Sequence, residues 1–190
     1  MRRAFASLIL VGLLIACNSA KKDNTDNSQI LSDSTDIEQT EQLQNSDCLK
    51  IVGDSVEIPS FEIELKLSEK AEEKLKNDKE SIIVMAYFTS TPVEDIPDKY
   101  KDNVDRLGCL FLLSHSIELT DKRLARFEHI KFPKDLYDLA ADKDIQLLVN
   151  VFSGRRSSDL NLLDCDIIED SMSQIKGKKF IINGKLISGD

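Results

Sequence analysis

Tryptophan is absent from the chain, aromatic residues make up only 6% of it, and there are just two histidines. Sugar sites usually rely on exposed aromatic rings, so this composition disfavours a saccharide ligand. His115 and His129 lie in different segments and are too few for a zinc centre without a cysteine pair. No Gly-x-Ser-x-Gly sequence is present, which excludes the nucleophile elbow of an α/β-hydrolase.

Positive charge is also scarce. The chain carries 25 basic and 34 acidic residues, a net charge of −9. Removal of residues 1–16, which hold two arginines and no acid, makes the net charge −11. An acidic surface repels phosphate, so nucleic acid is excluded as a partner, and electrostatic adhesion to anionic lipid is disfavoured.

The longest apolar run stands at the amino terminus, where Arg2 and Arg3 precede apolar residues 4–16. This is the layout of a secretory signal peptide, and the run is shorter than the roughly 20 residues that span a bilayer. Its ending, Leu14-Ile15-Ala16-Cys17, resembles the lipobox of bacterial lipoproteins. The resemblance implies that signal peptidase II removes residues 1–16 and that Cys17 carries acyl chains. The alternative is ordinary cleavage with Cys17 incidental.

The lipobox resemblance also implies a location. A chain acylated at Cys17 is held by the lipid bilayer of the cell envelope. We expect attachment at the outer membrane, with the rest of the chain facing the periplasm or the cell surface.

Residues 18–47 have the composition of a disordered tether. They contain no aromatic residue, two lysines and seven acids, and their apolar residues are scattered. Such a segment buries too little apolar surface to offset its ordering entropy. We expect the lipidated Cys17 and this segment, residues 17–47, to form a tether with a reach on the order of 30 Å. Residues 48–190 are then one globular domain of ordinary size.

Three segments carry the clearest strand signals. Residues 61–67 (FEIELKL) alternate apolar and charged side chains, which predicts a strand with one face on a core and one in water. Residues 81–89 (SIIVMAYFT) and 145–152 (IQLLVNVF) are apolar on both faces, which predicts central strands.

The remaining segments predict shorter elements. Ser68 is a candidate cap for a helix over residues 69–76, and Pro133 starts a second helix that runs to residue 141. Strands are predicted at residues 109–119, with a kink or bulge at 114–116, and at residues 124–132. Residues 179–187 predict either a hairpin or one strand with a bulge, because Asn183-Gly184 separates two apolar triplets.

These elements predict a mainly β fold, an antiparallel β-sandwich with two short helices in the crossings. The order of elements is similar to that of the transthyretin-like and immunoglobulin-like sandwiches of bacterial lipoproteins. An α+β fold with a single sheet covered by helices is the alternative. The two strands that are apolar on both faces favour it.

The cysteines are odd in number once Cys17 is acylated, since Cys48, Cys109 and Cys165 remain. Cys109 and Cys165 each lie beside an apolar run, so a buried disulfide between them is a candidate. Simple buried thiols are the alternative. No Cys-x-x-Cys spacing indicates a redox site.

Two clusters of charged residues are candidate sites. Calcium takes six to eight oxygen ligands, and four acids within a short segment could supply several of them: Asp164, Asp166, Glu169 and Asp170. Their spacing matches no EF-hand loop, and a solvated acidic loop is the alternative. Arg155 and Arg156 follow an apolar strand directly and form a candidate binding loop for carboxylates or phosphates. A turn whose arginines pair with nearby acids is the alternative.

The sequence therefore favours a membrane-anchored, non-enzymatic binding or accessory module of the bacterial envelope that needs no cofactor. A protein of unknown identity is the favoured partner. The alternative is an envelope hydrolase with a calcium-dependent or cysteine-dependent site. A cleft in which a histidine meets Cys165 or the acids of residues 164–170 would favour the hydrolase.

Overall fold

The computed structural model describes residues 48–188. The predicted signal peptide, the lipidated Cys17 and the tether lie outside these residues and stay predictions. In the part of the chain that is described, no helix is both long enough and apolar enough to cross a membrane.

Two four-stranded sheets and one small sheet make up the fold. Sheet I has the order β10-β8-β4-β5 and is antiparallel throughout. Its strands are β4 (Ile82–Ser90), β5 (Leu110–Leu119), β8 (Gln146–Ser153) and β10 (Ile168–Ser171). Sheet II has the order β6-β3-β11-β9, and its strands are β3 (Phe61–Leu67), β6 (Leu124–Phe127), β9 (Leu163–Cys165) and β11 (Lys179–Leu186). Sheet III has the order β1-β2-β7, with β1 (Lys50–Val52), β2 (Ser55–Glu57) and β7 (Lys131–Pro133).

The helices are short and lie in the connections. They are α1 (Glu69–Asp78), α2 (Lys134–Asp138), α3 (Met172–Ile175) and a 3₁₀ helix (Asp98–Asn103). Ser68 caps α1 as predicted, because its Oγ accepts a hydrogen bond from the Ala71 N–H at 3.2 Å. The strands and sheets confirm the mainly β fold class. The described residues contain three short α-helices, one more than the sequence predicted.

The core lies between the inner faces of sheets I and II. Phe61 of β3 and Phe88 of β4 meet edge to face with their ring centroids 6.5 Å apart, and Phe61 stacks on Phe127 of β6 at 4.6 Å. All three rings are buried. Burial of one such side chain contributes roughly 1.5–3 kcal/mol relative to exposure, so these contacts hold the two sheets together as a sandwich.

Strands with a strong apolar pattern lie where they were predicted. Strand β3 coincides with the alternating segment, and β4 and β8 begin and end one residue later than predicted. Both β4 and β8 are central, since β4 pairs with β5 and β8, and β8 pairs with β4 and β10. Alternation and length were therefore sufficient to place them.

Two strand predictions were wrong in detail. The kink or bulge predicted at residues 114–116 lies elsewhere, because β5 pairs without interruption through Ser-His-Ser and its register shifts at Leu112, opposite Phe88 and Thr89. The segment 124–132 is not one strand, because its two ends belong to sheets II and III. His129 lies between them with a φ of 56°, a left-handed conformation that turns the chain out of the first sheet.

The carboxyl-terminal segment is a single strand rather than a hairpin. Strand β11 pairs in parallel with β3 and antiparallel with β9. Gly184 is needed there for close approach: a Cβ at this position would lie 2.6 Å from Cys165 Sγ and 2.7 Å from Leu67 Cδ2. The Asn-Gly pair therefore marks crowding between strands and not a turn.

Candidate functional site

The predicted binding loop, residues 153–158, leaves the end of β8 and lies against the start of β4. The Gly154 N–H donates to the Ser81 carbonyl at 2.8 Å. A Cβ on Gly154 would lie 1.9 Å from Ser81 Oγ, so a larger residue would displace this hydroxyl from its hydrogen bond to Glu118. The loop is thus held in one position against the sheet.

A buried carboxylate fixes the same loop. Glu80 accepts hydrogen bonds from the N–H groups of Arg156 at 3.0 Å and Ser157 at 2.7 Å, and from Ser157 Oγ at 2.6 Å. The Ser81 N–H donates to it as well, at 3.0 Å. Burial by itself would raise the pKa of Glu80, but these hydrogen bonds to the charged form lower its pKa to about 2. Glu80 is therefore an ionised anchor for the loop.

Arg156 is engaged within the domain. Its Nε and Nη2 lie 2.9 and 2.7 Å from Glu118 Oε1, which also accepts a hydrogen bond from Ser81 Oγ at 2.5 Å. The hydrogen bond from Ser81, followed by the contact with Arg156, lowers the pKa of Glu118. Within the described chain, Arg155 makes no ion pair; it is exposed and has a φ of 57°. The arrangement of Arg156 matches the alternative of a turn paired with acids, and Arg155 alone stays a candidate binding residue.

The four acids of the predicted calcium site are not brought together. Asp164 on β9 lies 3.7 Å from Lys185, and Asp166 accepts hydrogen bonds from the backbone and side chain of Asn183. Glu169 and Asp170 lie on β10, in the other large sheet. Among residues 48–188, no group of three or more His, Cys, Asp or Glu side chains is placed to hold a metal ion.

The disulfide predicted between Cys109 and Cys165 is not formed, because both are free thiols. Cys109 is exposed in the turn before β5, whereas Cys165 is half-buried on β9 of sheet II. Apolar neighbours in sequence therefore did not bring the two thiols to one place in the fold. Burial, helped by the neighbouring carboxylates of Asp164 and Asp166, raises the pKa of Cys165 to about 11, which makes it a poor nucleophile.

The histidines do not assemble a catalytic cleft with these groups. His115 lies on β5 with its ring 6.0 Å from that of Phe127. His129 lines a shallow groove of about 640 Å³ together with Cys48 and Glu57, and neither Cys165 nor an acid of residues 164–170 lines that groove. Across the described residues, the convergence that would favour a hydrolase is not seen.

The most unusual surface is the outer face of sheet I. Five apolar side chains on its two central strands point away from the core: Ile83, Met85, Tyr87, Leu148 and Phe152. We call this set the apolar face. Its members are half-buried; Ile83 is opposite Phe152 and Tyr87 is opposite Leu148, whereas Met85 is opposite the polar Asn150 inside the face. None of them belongs to the described hydrophobic residues that pack against the core.

Polar and charged residues border the apolar face. On β10, Glu169 is opposite Leu148. On β5, Ser114 is opposite Tyr87 and Ser116 is opposite Met85. Glu118 is opposite Ile83, so the ion pair between Glu118 and Arg156 closes that end of the face. In the described fold the main partner of α1 is β11, those of α2 are β2 and β7, and that of α3 is β10.

Sequence reasoning found the strands of the apolar face but not the face itself. In residues 81–89 and 145–152, apolar residues stand at odd and at even positions, which indicated strands covered on both faces. Both segments are strands, as this pattern indicated. The pattern does not say whether this chain or another molecule covers the second face. Comparison with protein-family models, curated proteins and solved structures found no match for this chain.

Proposed function

We propose that this chain is a lipid-anchored, non-enzymatic binding module of the bacterial envelope that binds a protein partner through its apolar face. The observation that carries the proposal is the grouping of five apolar side chains on an outer sheet surface: Ile83, Met85, Tyr87, Leu148 and Phe152. When one face of an antiparallel sheet packs on the core, the other face is normally polar and solvated. An outer face on which apolar side chains predominate, interrupted here only by Asn150 between Leu148 and Phe152, is characteristic of a surface that another molecule covers.

The shape of the face indicates the class of partner. Small-molecule sites are concave and enclose most of the ligand, whereas this surface is the outer side of an antiparallel sheet. Aromatic residues and methionine are enriched at the centres of protein–protein interfaces, and Tyr87, Phe152 and Met85 supply those types here. Burial of apolar area contributes roughly 25 cal/mol per Å². Burial of these side chains under a partner protein would therefore stabilise the complex.

The anchor supplies the location. In this proposal Cys17 carries the acyl chains, and each buried CH₂ contributes about 0.8 kcal/mol, so two or more chains hold durably. Residues 18–47 then allow the apolar face to sample a shell on the order of 30 Å from the bilayer. Confinement near the membrane raises the local concentration of the face for a partner in the same envelope.

The anchor is tested by fractionation. We expect Cys17→Ala to yield an unacylated chain in the soluble fraction, while Cys48→Ala stays with the membrane. Membrane retention of Cys17→Ala would contradict the anchor.

The binding face is tested by photo-cross-linking in intact cells. A photoreactive phenylalanine analogue at position 87, on the apolar face, is compared with one at position 181, where Ile181 is exposed on the outer face of sheet II. We expect a discrete protein adduct from position 87 and none from position 181. Equal labelling from both positions would contradict a dedicated binding face.

A further inference from the structure

Strand β5 is a long edge strand whose backbone is open on one side. It pairs with β4 alone, apart from an isolated bridge between Val104 and Leu110. Asn103 Nδ2 donates to the Phe111 carbonyl at 3.3 Å, so the first two residues of the strand are covered. Over residues 112–118, no backbone hydrogen bond joins β5 to any described residue outside β4. We call residues 112–118 the open edge; its outward N–H and C=O groups can pair with another chain.

The other edges of the two large sheets are short or charged. Strand β10 has four residues and carries Glu169 and Asp170, and β6 has four residues and carries Arg126. Strand β9 has only three residues. Short length and charged side chains are the usual protection of a sheet edge. The open edge has neither lysine nor proline, and its one charged residue, Glu118, is already paired with Arg156.

The side chains beside the open edge leave room above the sheet. Ser114 and Ser116 point to the outer face next to Tyr87 and Met85. Adjacent strands lie about 4.8 Å apart, so a strand added to β5 has its outward side chains next to these two serines. Long or aromatic side chains at that distance can extend over the serines and contact Met85 and Tyr87. Small side chains there would leave both residues uncovered.

A second copy of this chain does not supply those bulky side chains. If two open edges paired with each other, the outward side chains on both would be Ser114, Ser116 and Glu118. Two copies that each carry a net charge of −11 after removal of residues 1–16 also repel one another, whereas a basic segment is attracted. The chemistry of the surface therefore favours a different chain.

We propose that the open edge accepts an extended segment of a partner protein as an added strand, with bulky apolar side chains at alternate positions and basic residues at its ends. Main-chain hydrogen bonds to residues 112–118 supply affinity, and the apolar side chains that cover Met85 and Tyr87 supply specificity. This inference rests on the proposed function, because it names how the partner reaches the apolar face.

The test uses the purified full chain and a short synthetic peptide that alternates threonine with phenylalanine and carries a lysine at each end. A second peptide has every phenylalanine replaced by threonine. Binding is measured by fluorescence anisotropy, and hydrogen exchange of backbone amides is measured by mass spectrometry. We expect the first peptide to slow exchange within residues 112–118 at least tenfold, to leave exchange within β10 unchanged, and to bind at least tenfold more tightly than the second.

Two matched variants locate the binding. Ser116→Lys places a charge where the proposal puts an apolar side chain, and it should weaken binding of the first peptide at least tenfold. Ser171→Lys makes the same change on β10, the opposite edge of the same sheet, and should leave binding unchanged. Circular dichroism of both variants checks that the fold is retained.

Four results would overturn strand addition: no binding of the first peptide, equal binding of both peptides, binding without slower exchange in residues 112–118, or a dimer in which these amides are already protected without peptide. Failure of the proposed function is recognised separately, since it appears as lost selectivity between positions 87 and 181 in the cross-linking experiment. A peptide that binds without protecting the open edge, together with retained cross-linking at position 87, would leave the apolar face as the binding surface and remove only the added strand.

Discussion

The outer faces of sheets I and II follow the same alternation but differ in chemistry. On sheet II the outward side chains of neighbouring strands form ion pairs: Arg126 with Glu62 at 2.7 Å, Lys179 with Glu64 at 2.6 Å, and Lys185 with Asp164 at 3.7 Å. On sheet I five of the corresponding positions of the central strands are apolar, namely Ile83, Met85, Tyr87, Leu148 and Phe152, and the other three are Thr89, Gln146 and Asn150. Water solvates the charged side chains of sheet II but not the apolar side chains of sheet I, so coverage by another molecule stabilises the outer surface of sheet I more than that of sheet II.

The largest expected effect separates the inner side of sheet I from its outer side. Phe88→Ala removes a fully buried ring between the sheets and should lower the free energy of unfolding by about 3–5 kcal/mol. Phe152→Ala removes a half-buried ring on the apolar face and should cost about 1 kcal/mol, because only cross-strand contacts are lost. Denaturant unfolding of the full chain measures both. Similar costs would show that the apolar face is already covered within the chain.

The next effect concerns the loop that borders the apolar face. Glu80→Ala leaves the N–H groups of Arg156 and Ser157 without their acceptor and should destabilise the fold by about 1–3 kcal/mol. Glu73→Ala is the matched control, since Glu73 is exposed on α1 and should change stability by less than about 0.5 kcal/mol. If the two variants unfold at the same denaturant concentration, Glu80 does not anchor the loop.

The pH dependence of stability should differ between the wild type and the neutral variant Glu80→Gln. The folded-state pKa of Glu80, about 2, lies below its ordinary value of 4.5, so its contribution is complete above about pH 4.5 and is lost as the pH falls toward 2. Wild type should therefore be more stable than Glu80→Gln at pH 6, and the difference should disappear near pH 2. Thermal unfolding across this range measures it. A constant difference at every pH would contradict the low pKa.

The smallest effect belongs to the outer face of sheet II. Arg126→Ala breaks the ion pair with Glu62, and because the arginine side chain is 60% exposed, the loss in stability should stay below about 1 kcal/mol. Added salt should reduce even this difference. A loss as large as that of Phe88→Ala would mean that sheet II depends on its outer charges, and the contrast between the two faces would then be wrong.

The sequence predicted those parts of the fold in which local pattern and burial agree. Alternation located β3, and apolar runs located β4 and β8, because each of these strands buries at least one complete face. Strand β5 was predicted with a kink or bulge at its polar Ser-His-Ser segment. At an open sheet edge those three residues remain exposed without interrupting the strand.

Elements that depend on distant partners could not be predicted. Strand β11 is a single strand because it lies beside β3, more than 100 residues earlier in the chain, and the same sequence would also suit a hairpin. Residues that hold the arginine loop, Glu80 and Glu118, are 76 and 38 residues from Arg156. The apolar face was present in the sequence as two strands apolar on both sides, but its exposure depends on where every other element packs.

Hydroxyl-radical footprinting tests most directly whether the apolar face is accessible in the free chain and protected in the cell. The purified full chain is compared with the chain in intact cells. Met85, Tyr87 and Phe152 should be oxidised in the purified chain and protected at least several-fold in cells. Ile181 on sheet II, which is 48% exposed, should be oxidised equally in both. Equal oxidation of the three apolar-face residues in both settings, or their protection in the purified chain, would contradict the proposal that a partner covers this face.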